Sequence, residues 1–494
     1  LPIDHLQIQD APSLTPDELQ QLVGGFEGRC LGLAEFDQVL ETVTLAYVDR
    51  GLILSRAYLP EQDLTSGTLQ IKVVEGTLSE ININGEDRPY WASMVFPDLV
   101  GKPVNIRETE QGLDQIEAMP RWTAELSFAP SEVAGESVLQ VTAATSKRTE
   151  FRFSSNNRGN DDTGEWISSL SANTTNLFGL NDTWDISASK SVNPNPFALA
   201  YDGDTNRSAS LGLSLPYGRW SIDYDYSFSD YVLTIPGAID LINTDGSVRT
   251  HSLSIDYLLE RNETTKQVLG LSLVRAQNEN FIQDVRIDAS SRTLTGLKLS
   301  YGQSTPLWSG SFDGTVYAER GLRIFSGENG DSLPEGSPEP QYFLLGFDVD
   351  YARQLGATQR LSWSSTISAQ LSTDRLYGTQ AFSIGGTSTV RGSRTSLASG
   401  SSGIVWRNEF EYQILREMAD IIPYAALYGA VDYGRIFRQA KIDITSAHAV
   451  GTTVGVKLRD TAYNVDLSYQ EVVSASGHIE KPSGTVFATF EIVF

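Results

Sequence analysis

The sequence predicts a membrane β-barrel preceded by two small α/β units, on three observations. Helical and strand patterns alternate only as far as about residue 150. Beyond it, apolar and polar residues alternate at a spacing of two, segment after segment, up to the last residue. Nowhere do about 18 apolar residues run together, so no helix of the chain is expected to span a bilayer. The nearest approach, Ile421 to Val431, is short and holds Pro423. A barrel escapes this test because its strands hide their apolar face by alternation.

The first α/β unit reads clearly. Asp4 to Gln9 predicts an opening strand. Thr15-Pro16-Asp17-Glu18 combines an N-cap, a proline at the first helical position and acids facing the positive end of the helix dipole. From Leu33 to Arg50 the apolar residues Phe36, Val39, Leu40, Val43 and Tyr47 share one helical face, and Gly51 stops the helix. Strands over Leu52–Tyr58 and Leu69–Val74 follow, joined through Pro60 and Gly67. A second unit has a strand over Leu78–Asn84, a helix over Asn105–Met119, and strands over Glu125–Ala129 and Val138–Ala143.

From Glu150 onward the pattern is that of strands. Trp220, Ile222, Tyr224, Tyr226 and Phe228 alternate with serines and aspartates, and Phe347, Val349 and Tyr351 alternate with Asp348 and Asp350. The chain ends Val486, Ala488, Phe490, Ile492, Phe494 at a spacing of two. A soluble sandwich alternates too, but its strands average about five or six residues. These approach the ~9–11 that cross a bilayer. The small, acidic polar face suits a wet lumen and the aromatic-rich apolar face suits lipid. Asn156–Glu165, Pro196–Asn206 and Gly327–Pro340 are expected to be exposed loops.

Composition excludes several classes of function. Lys and Arg number 37 against 62 Asp and Glu, a net charge of −25. Such a surface repels polyphosphates, so nucleic acid is not an expected partner. One cysteine, Cys30, excludes an internal disulfide and any Cys-based metal centre, and is expected as a small apolar filler between the first two helices. No metal and no cofactor is expected. Neither a nucleotide-binding loop nor a nucleophile elbow is present, and the four histidines neighbour no Ser or Cys motif, so no enzyme is expected. The opening Leu1-Pro2-Ile3-Asp4 has no basic or apolar leader, as expected of a mature, truncated or cytosolic chain.

Particular residues now matter. Tyr47-Val48-Asp49-Arg50-Gly51, the stretch Ser55 to Leu64 with Leu59-Pro60-Glu61-Gln62-Asp63 at its centre, Gly67-Thr68-Leu69 and Val74-Glu75-Gly76 resemble the first POTRA domain of two-partner secretion transporters (TpsB). Gly28 to Gly32 is similar to that domain's loop between helices. Gly385-Gly386 and Val390-Arg391-Gly392 resemble the hairpin motif of the wider superfamily. Arg407-Asn408-Glu409 fits the strand after that hairpin, and Asp432 in Val431–Arg435 matches the acidic motif that pairs with its arginine. Phe494 matches the aromatic C-terminus of outer-membrane barrels. The resemblance departs at Ser393, where an aromatic is usual, and at Ala430, where Phe is common. Many relatives also carry a helix ahead of the first POTRA domain that plugs the barrel. Here such a helix could be cleaved, outside the sequence or absent.

The resemblance implies POTRA domains over 1–76 and 77–147 in the periplasm and a 16-stranded antiparallel barrel over 148–494 in the bacterial outer membrane. It implies a translocation pore that captures and exports one large unfolded exoprotein through the exoprotein's N-terminal secretion domain. The partners are that protein and outer-membrane lipid, with no nucleotide, so the client's own folding outside would supply the energy. A barrel-assembly factor of the same superfamily and a passive diffusion porin are the alternatives. The nominated residues are Val390, Arg391 and Gly392 in the lumen, their partner Asp432, the hairpin glycines Gly385 and Gly386, and the POTRA residues Leu59, Pro60, Gln62, Asp63 and Gly67. In a wet acidic pore a guanidinium is best used to grip a carboxylate with two hydrogen bonds. Leu52–Tyr58 or Leu69–Val74 either offers a sheet edge to an extended client or only completes its own sheet.

Overall fold

A computed structural model describes residues 2–192, 204–237, 240–262, 264–334, 336–415, 424–438, 445–476 and 479–494. They form two compact units, one of Leu1–Arg148 with the turns Thr175–Asp182 and Pro216–Arg219, the other of the remaining chain.

The first unit begins with a sheet in the order His5–Gln9, Thr68–Val74, Arg56–Tyr58. His5–Gln9 lies parallel to Thr68–Val74, so the chain must cross over between them, and the helices Pro16–Val23 and Leu33–Asp49 make that crossover. Thr15 caps the first helix reciprocally with Glu18. Phe36, Val39, Val43 and Tyr47, one face of the second helix, are buried with Leu69, Ile71 and Val73 of the sheet. Tyr47 donates its hydroxyl to Glu75 at 2.9 Å, and Ser13 reaches the same carboxylate at 2.7 Å. Burial and this carboxylate push the tyrosine hydroxyl well above its usual range.

The first unit decides one open reading and corrects two. Thr68–Val74 is the central strand and offers no edge. Leu52–Tyr58 is extended only over Arg56–Tyr58, because residues 52–55 turn back on themselves through the Ser55 N–H to Leu52 C=O bond. Cys30 is exposed in a two-residue strand opposite Pro2, since Leu31 fills the core position beside it.

A second sheet runs Glu86–Asp87, Thr77–Ile83, Glu136–Thr145, Trp122–Pro130. It packs with the helices Pro89–Val95 and Ile106–Glu117. Pro89–Val95 is too short to show a helical period, although Pro89 starts it and Trp91, Ala92 and Val95 are buried. Within this unit Trp91 and Trp122 meet edge to face at 5.5 Å, and each indole N–H is satisfied, by Asn181 at 3.0 Å and Thr175 at 2.8 Å.

The second unit is a closed antiparallel barrel. Seventeen segments form its ring, of which Val285–Arg286 is a two-residue addition to one strand end; sixteen wall strands remain among the described residues. The strands over Trp220–Pro236 and Leu241–Arg261 are 17 and 21 residues long, more than a bilayer needs. Alternation sorts the faces as the sequence predicts. Ile222, Leu253, Leu271, Phe490 and Ile492 are exposed on the outside, whereas Asp223, Ser252 and Glu491 point inward with the other residues of opposite parity. The ring closes where Arg152–Asn156 of the first strand meets Thr489–Val493 of the last, a contact of five residue pairs. Of the expected loop Pro196–Asn206, residues 196–203 lie outside the described residues, and Thr205 already begins a strand.

Candidate functional site

Between the wall strands Leu361–Leu371 and Gly403–Leu415 the chain leaves the barrel wall for residues 372–402. It folds as a hairpin whose legs, Phe382–Ile384 and Ala398–Gly400, pair with each other. The tip needs unusual backbone: Gly385, Gly386 and Gly392 have φ of +97°, +87° and +111°. At Gly392 close approach adds a second demand, since a Cβ would lie 2.4 Å from the main chain of Glu471. The wall yields in the same way. A Cβ on Gly451 would stand 2.0 Å from the carbonyl oxygen of Arg391, and one on Gly434 2.6 Å from Val390. Ile384 and Val390 are fully buried against Val405, Ile436, Ala449 and Val472 of four neighbouring wall strands. This apolar patch fixes the hairpin's height and orientation.

The patch brings Arg391 onto Asp432. The guanidinium donates through Nε at 2.6 Å and Nη2 at 2.7 Å to the two carboxylate oxygens, and the Arg391 backbone N–H adds a third bond at 3.1 Å. Their side chains are 7% and 1% exposed, so water screens this pair little. The remaining nitrogen, Nη1, donates to Glu409 at 2.6 Å. Glu409 also receives Lys457, which bridges to Glu411 at 2.7 Å. Arg407 stands 3.8 Å from Asp432 and donates to the Ser388 carbonyl oxygen of the hairpin at 2.8 Å. Arg391, Arg407 and Lys457 thus face Asp432, Glu409 and Glu411, with the half-exposed Arg459 at 3.7 Å from Glu411 as a fourth cation. A buried ion pair repays its desolvation only when the remaining hydrogen-bonding capacity is also met. Arg391 meets it with all three guanidinium nitrogens on Asp432 and Glu409, whereas Arg407 Nε makes no hydrogen bond among the described residues.

Reasoning from sequence nominated Arg391 and Asp432, and the fold brings them together. Glu409 is a ligand of Arg391 that the sequence alone does not nominate, although Arg407-Asn408-Glu409 fits the strand after the hairpin. Glu409 and Glu411 lie two residues apart on one strand and so share the lumenal face. Nor does the sequence alone nominate Arg394, which donates to the Asn157 carbonyl oxygen, lies 3.3 Å from Glu165 and sits over the Phe487 ring at 5.3 Å. Ser393 is buried, its hydroxyl closing a local turn onto the Thr395 carbonyl oxygen at 2.6 Å. Ala430 stands directly opposite Glu409, small enough to leave that carboxylate to Arg391 and Lys457.

The POTRA residues belong to the first unit and build one loop. Register continues from Tyr58 opposite Lys72 toward Pro60 opposite Gln70, and proline has no N–H to donate. The Gln62 amide takes its place, accepting from the Gln70 N–H at 2.7 Å and donating to the Gln70 carbonyl oxygen at 2.8 Å. Asp63 caps a short turn by accepting from Thr65 N–H at 2.9 Å, which holds its carboxyl below the usual range. Gly67, at φ +72°, ends the turn and accepts from the Asp4 N–H at 2.7 Å. Leu59 is exposed.

Comparison with known proteins covers both units. The family of haemolysin secretion/activation proteins ShlB/FhaC/HecB matches residues 135–458. The ShlB-type POTRA domain matches residues 1–76, and a further POTRA domain matches 77–130. The chain is 31% identical over 435 residues to the outer membrane transporter CdiB of Dickeya dadantii, covering 88% of this chain and 76% of that protein. It is 27% identical over 496 residues to the hemolysin transporter protein ShlB of Serratia marcescens, covering 100% of this chain and 86% of the other. The solved structure of CdiB from Escherichia coli superposes with a TM-score of 0.89 at 28% identity, over 100% of this chain and 90% of that one.

Proposed function

Because this chain belongs to the ShlB/FhaC/HecB family of haemolysin secretion/activation proteins, the outer-membrane transporters of two-partner secretion, we propose that it captures one unfolded exoprotein through the periplasmic domains and passes it through the barrel. The client's N-terminal secretion domain would join a POTRA sheet as an added strand, drawing affinity from main-chain hydrogen bonds and selectivity from side chains. Arg56–Tyr58 and Trp122–Pro130 are the edges suited to this. The client's folding outside supplies the direction of movement. Outer-membrane lipid surrounds the exposed apolar face.

In this reading the hairpin is the working part of the pore and Arg391 its fastening. The observation that carries it is the bidentate grip of Arg391 on a fully buried Asp432 inside a barrel wall. A diffusion pore has no use for a hairpin that can leave a network of buried charges. A conduit that must release and regain one conformation does, because such a pair holds while complete and fails sharply when one partner withdraws.

The test is secretion of the partner protein from cells whose own copy of this chain is deleted. Full-length protein should restore it. Deleting residues 1–147 should abolish it while a barrel still inserts. Equal secretion without those residues would remove the capture step.

A further inference from the structure

The chain carries a net charge of −25, yet one stretch of its outer wall is rimmed with arginine. The strand Lys266–Ile282 starts at the barrel end that residue 149 enters from the periplasmic side and runs away from it. Its outward positions are Leu269, Leu271 and Leu273, and then abruptly Arg275. The neighbouring strand Leu241–Arg261 changes at the same level, since Leu253 pairs with Leu273 and His251 pairs with Arg275, with Arg249 next above. On Gly310–Leu322 the outward Val316 and Ala318 give way to Arg320, and on Thr205–Tyr217 Arg207 tops Ala209 and Leu211.

We infer that Arg207, Arg249, Arg275 and Arg320 form a binding rim for the phosphorylated headgroups of the outer leaflet. All four follow the outward parity of lipid-facing residues. Arg320 lies between Leu297 and Phe343, one outward position lower than Arg275, and Arg207, Arg249 and Arg275 sit where the apolar run of their strands stops. That is the depth at which headgroups begin, and the same depth carries Tyr226 and Phe228, aromatic rings suited to an interface. Charge complementarity selects the occupant. Three acids share the face: Asp230 is engaged by Arg207 at 2.7 Å and Glu279 by Arg249 at 3.8 Å, while Asp245 lies further along its strand, opposite Val232 and Phe281 and two outward positions beyond Arg249. Arg275 spends its Nε on the Phe325 carbonyl oxygen at 3.0 Å, and among the described residues neither it nor Arg320 meets a carboxylate. A guanidinium beside hydrocarbon is costly unless an anion comes to it, and its planar fork suits two phosphate oxygens. Lipid binding here is separate from client export, since no residue of the rim touches the hairpin network.

The experiment uses the full chain, purified in detergent and placed in nanodiscs of uncharged phospholipid doped with either a bisphosphorylated glycolipid or its dephosphorylated form. Retained glycolipid is counted per barrel. Wild type should retain the phosphorylated form selectively, and Arg275→Gln with Arg320→Gln together should weaken retention about 25-fold, roughly fivefold for each charge lost. Arg323→Gln, in a loop where Asp331 already binds the arginine at 2.6 Å, is the control and should retain glycolipid as wild type does. Unchanged retention in the double variant, or equal retention of the dephosphorylated form, overturns the inference. So does a dimer that persists without glycolipid and becomes monomeric in the double variant, which would give this face to a second copy. The heat-modifiable gel shift, measured in parallel, shows that the variant barrels are folded.

Discussion

Replacing Arg391 or Asp432 by alanine tests the hairpin network directly, and its magnitude follows from the geometry. Removing one member of a buried pair costs about 3–5 kcal/mol, against about 0–1 for a surface pair. Each single variant here keeps a fallback. Without the Arg391 side chain, Asp432 retains the backbone N–H of residue 391 and Arg407 at 3.8 Å. Without Asp432, the guanidinium retains Glu409. The lower end, about 3 kcal/mol, is therefore expected, which shifts the balance of seated and unseated hairpin about a hundredfold. Secreted partner protein, normalised to heat-modifiable barrel, should fall sharply in both single variants while insertion stays near wild type. The double alanine variant should be no worse than the poorer single one, because members of one pair are not additive. Arg391→Lys should rescue poorly, since one ammonium cannot span both Asp432 oxygens and Glu409 at once. If the two single losses add, the residues do not act as a pair and the fastening model is wrong.

Three further outcomes are expected. Gly451→Ala should unseat the hairpin at about 1–3 kcal/mol because its Cβ would meet the Arg391 carbonyl oxygen at 2.0 Å, whereas Gly429→Ala, whose nearest neighbour is at 3.8 Å, should be silent; protease accessibility of residues 385–397 reads the difference. Phe490→Arg or Ile492→Arg, both on the exposed outer face, should cost up to about 2–4 kcal/mol near the midplane and reduce the heat-modifiable fraction. The inward Glu491→Gln loses only a 3.7 Å contact with a half-exposed Arg152 and should assemble normally. The Asp63 turn should loosen in acid. Its carboxyl is lowered in the folded chain by the Thr65 N–H, so that stability is present above the ordinary carboxylate range and lost as pH falls through the lowered value. Protection of the amides of residues 63–67, exchange taken relative to the intrinsic rate at each pH, should fall over that window in wild type, and Asp63→Asn should flatten the fall.

Patterns that repeat along the chain were legible without coordinates. Alternation at a spacing of two, sustained from Glu150 to Phe494, determined the barrel and sorted lipid-facing from lumenal side chains, because a strand's parity is a local property. Thr15-Pro16-Asp17-Glu18 determined a helix start for the same reason, its cap being made within four residues. Resemblance supplied the pairing of Arg391 with Asp432, which are 41 positions apart. Only the tertiary structure decided that Glu409 and Lys457 complete that site, since their meeting depends on the register of three wall strands and on where the hairpin lands. It alone made Thr68–Val74 central rather than an edge, because a parallel partner arrives from sixty residues away. It put Cys30 outside the core, where one residue of register moves a side chain to the other face. It also gathered four arginines from four strands onto one rim, which no single strand's sequence reveals, because neighbours across a sheet are set by hydrogen-bond register rather than by order in the chain.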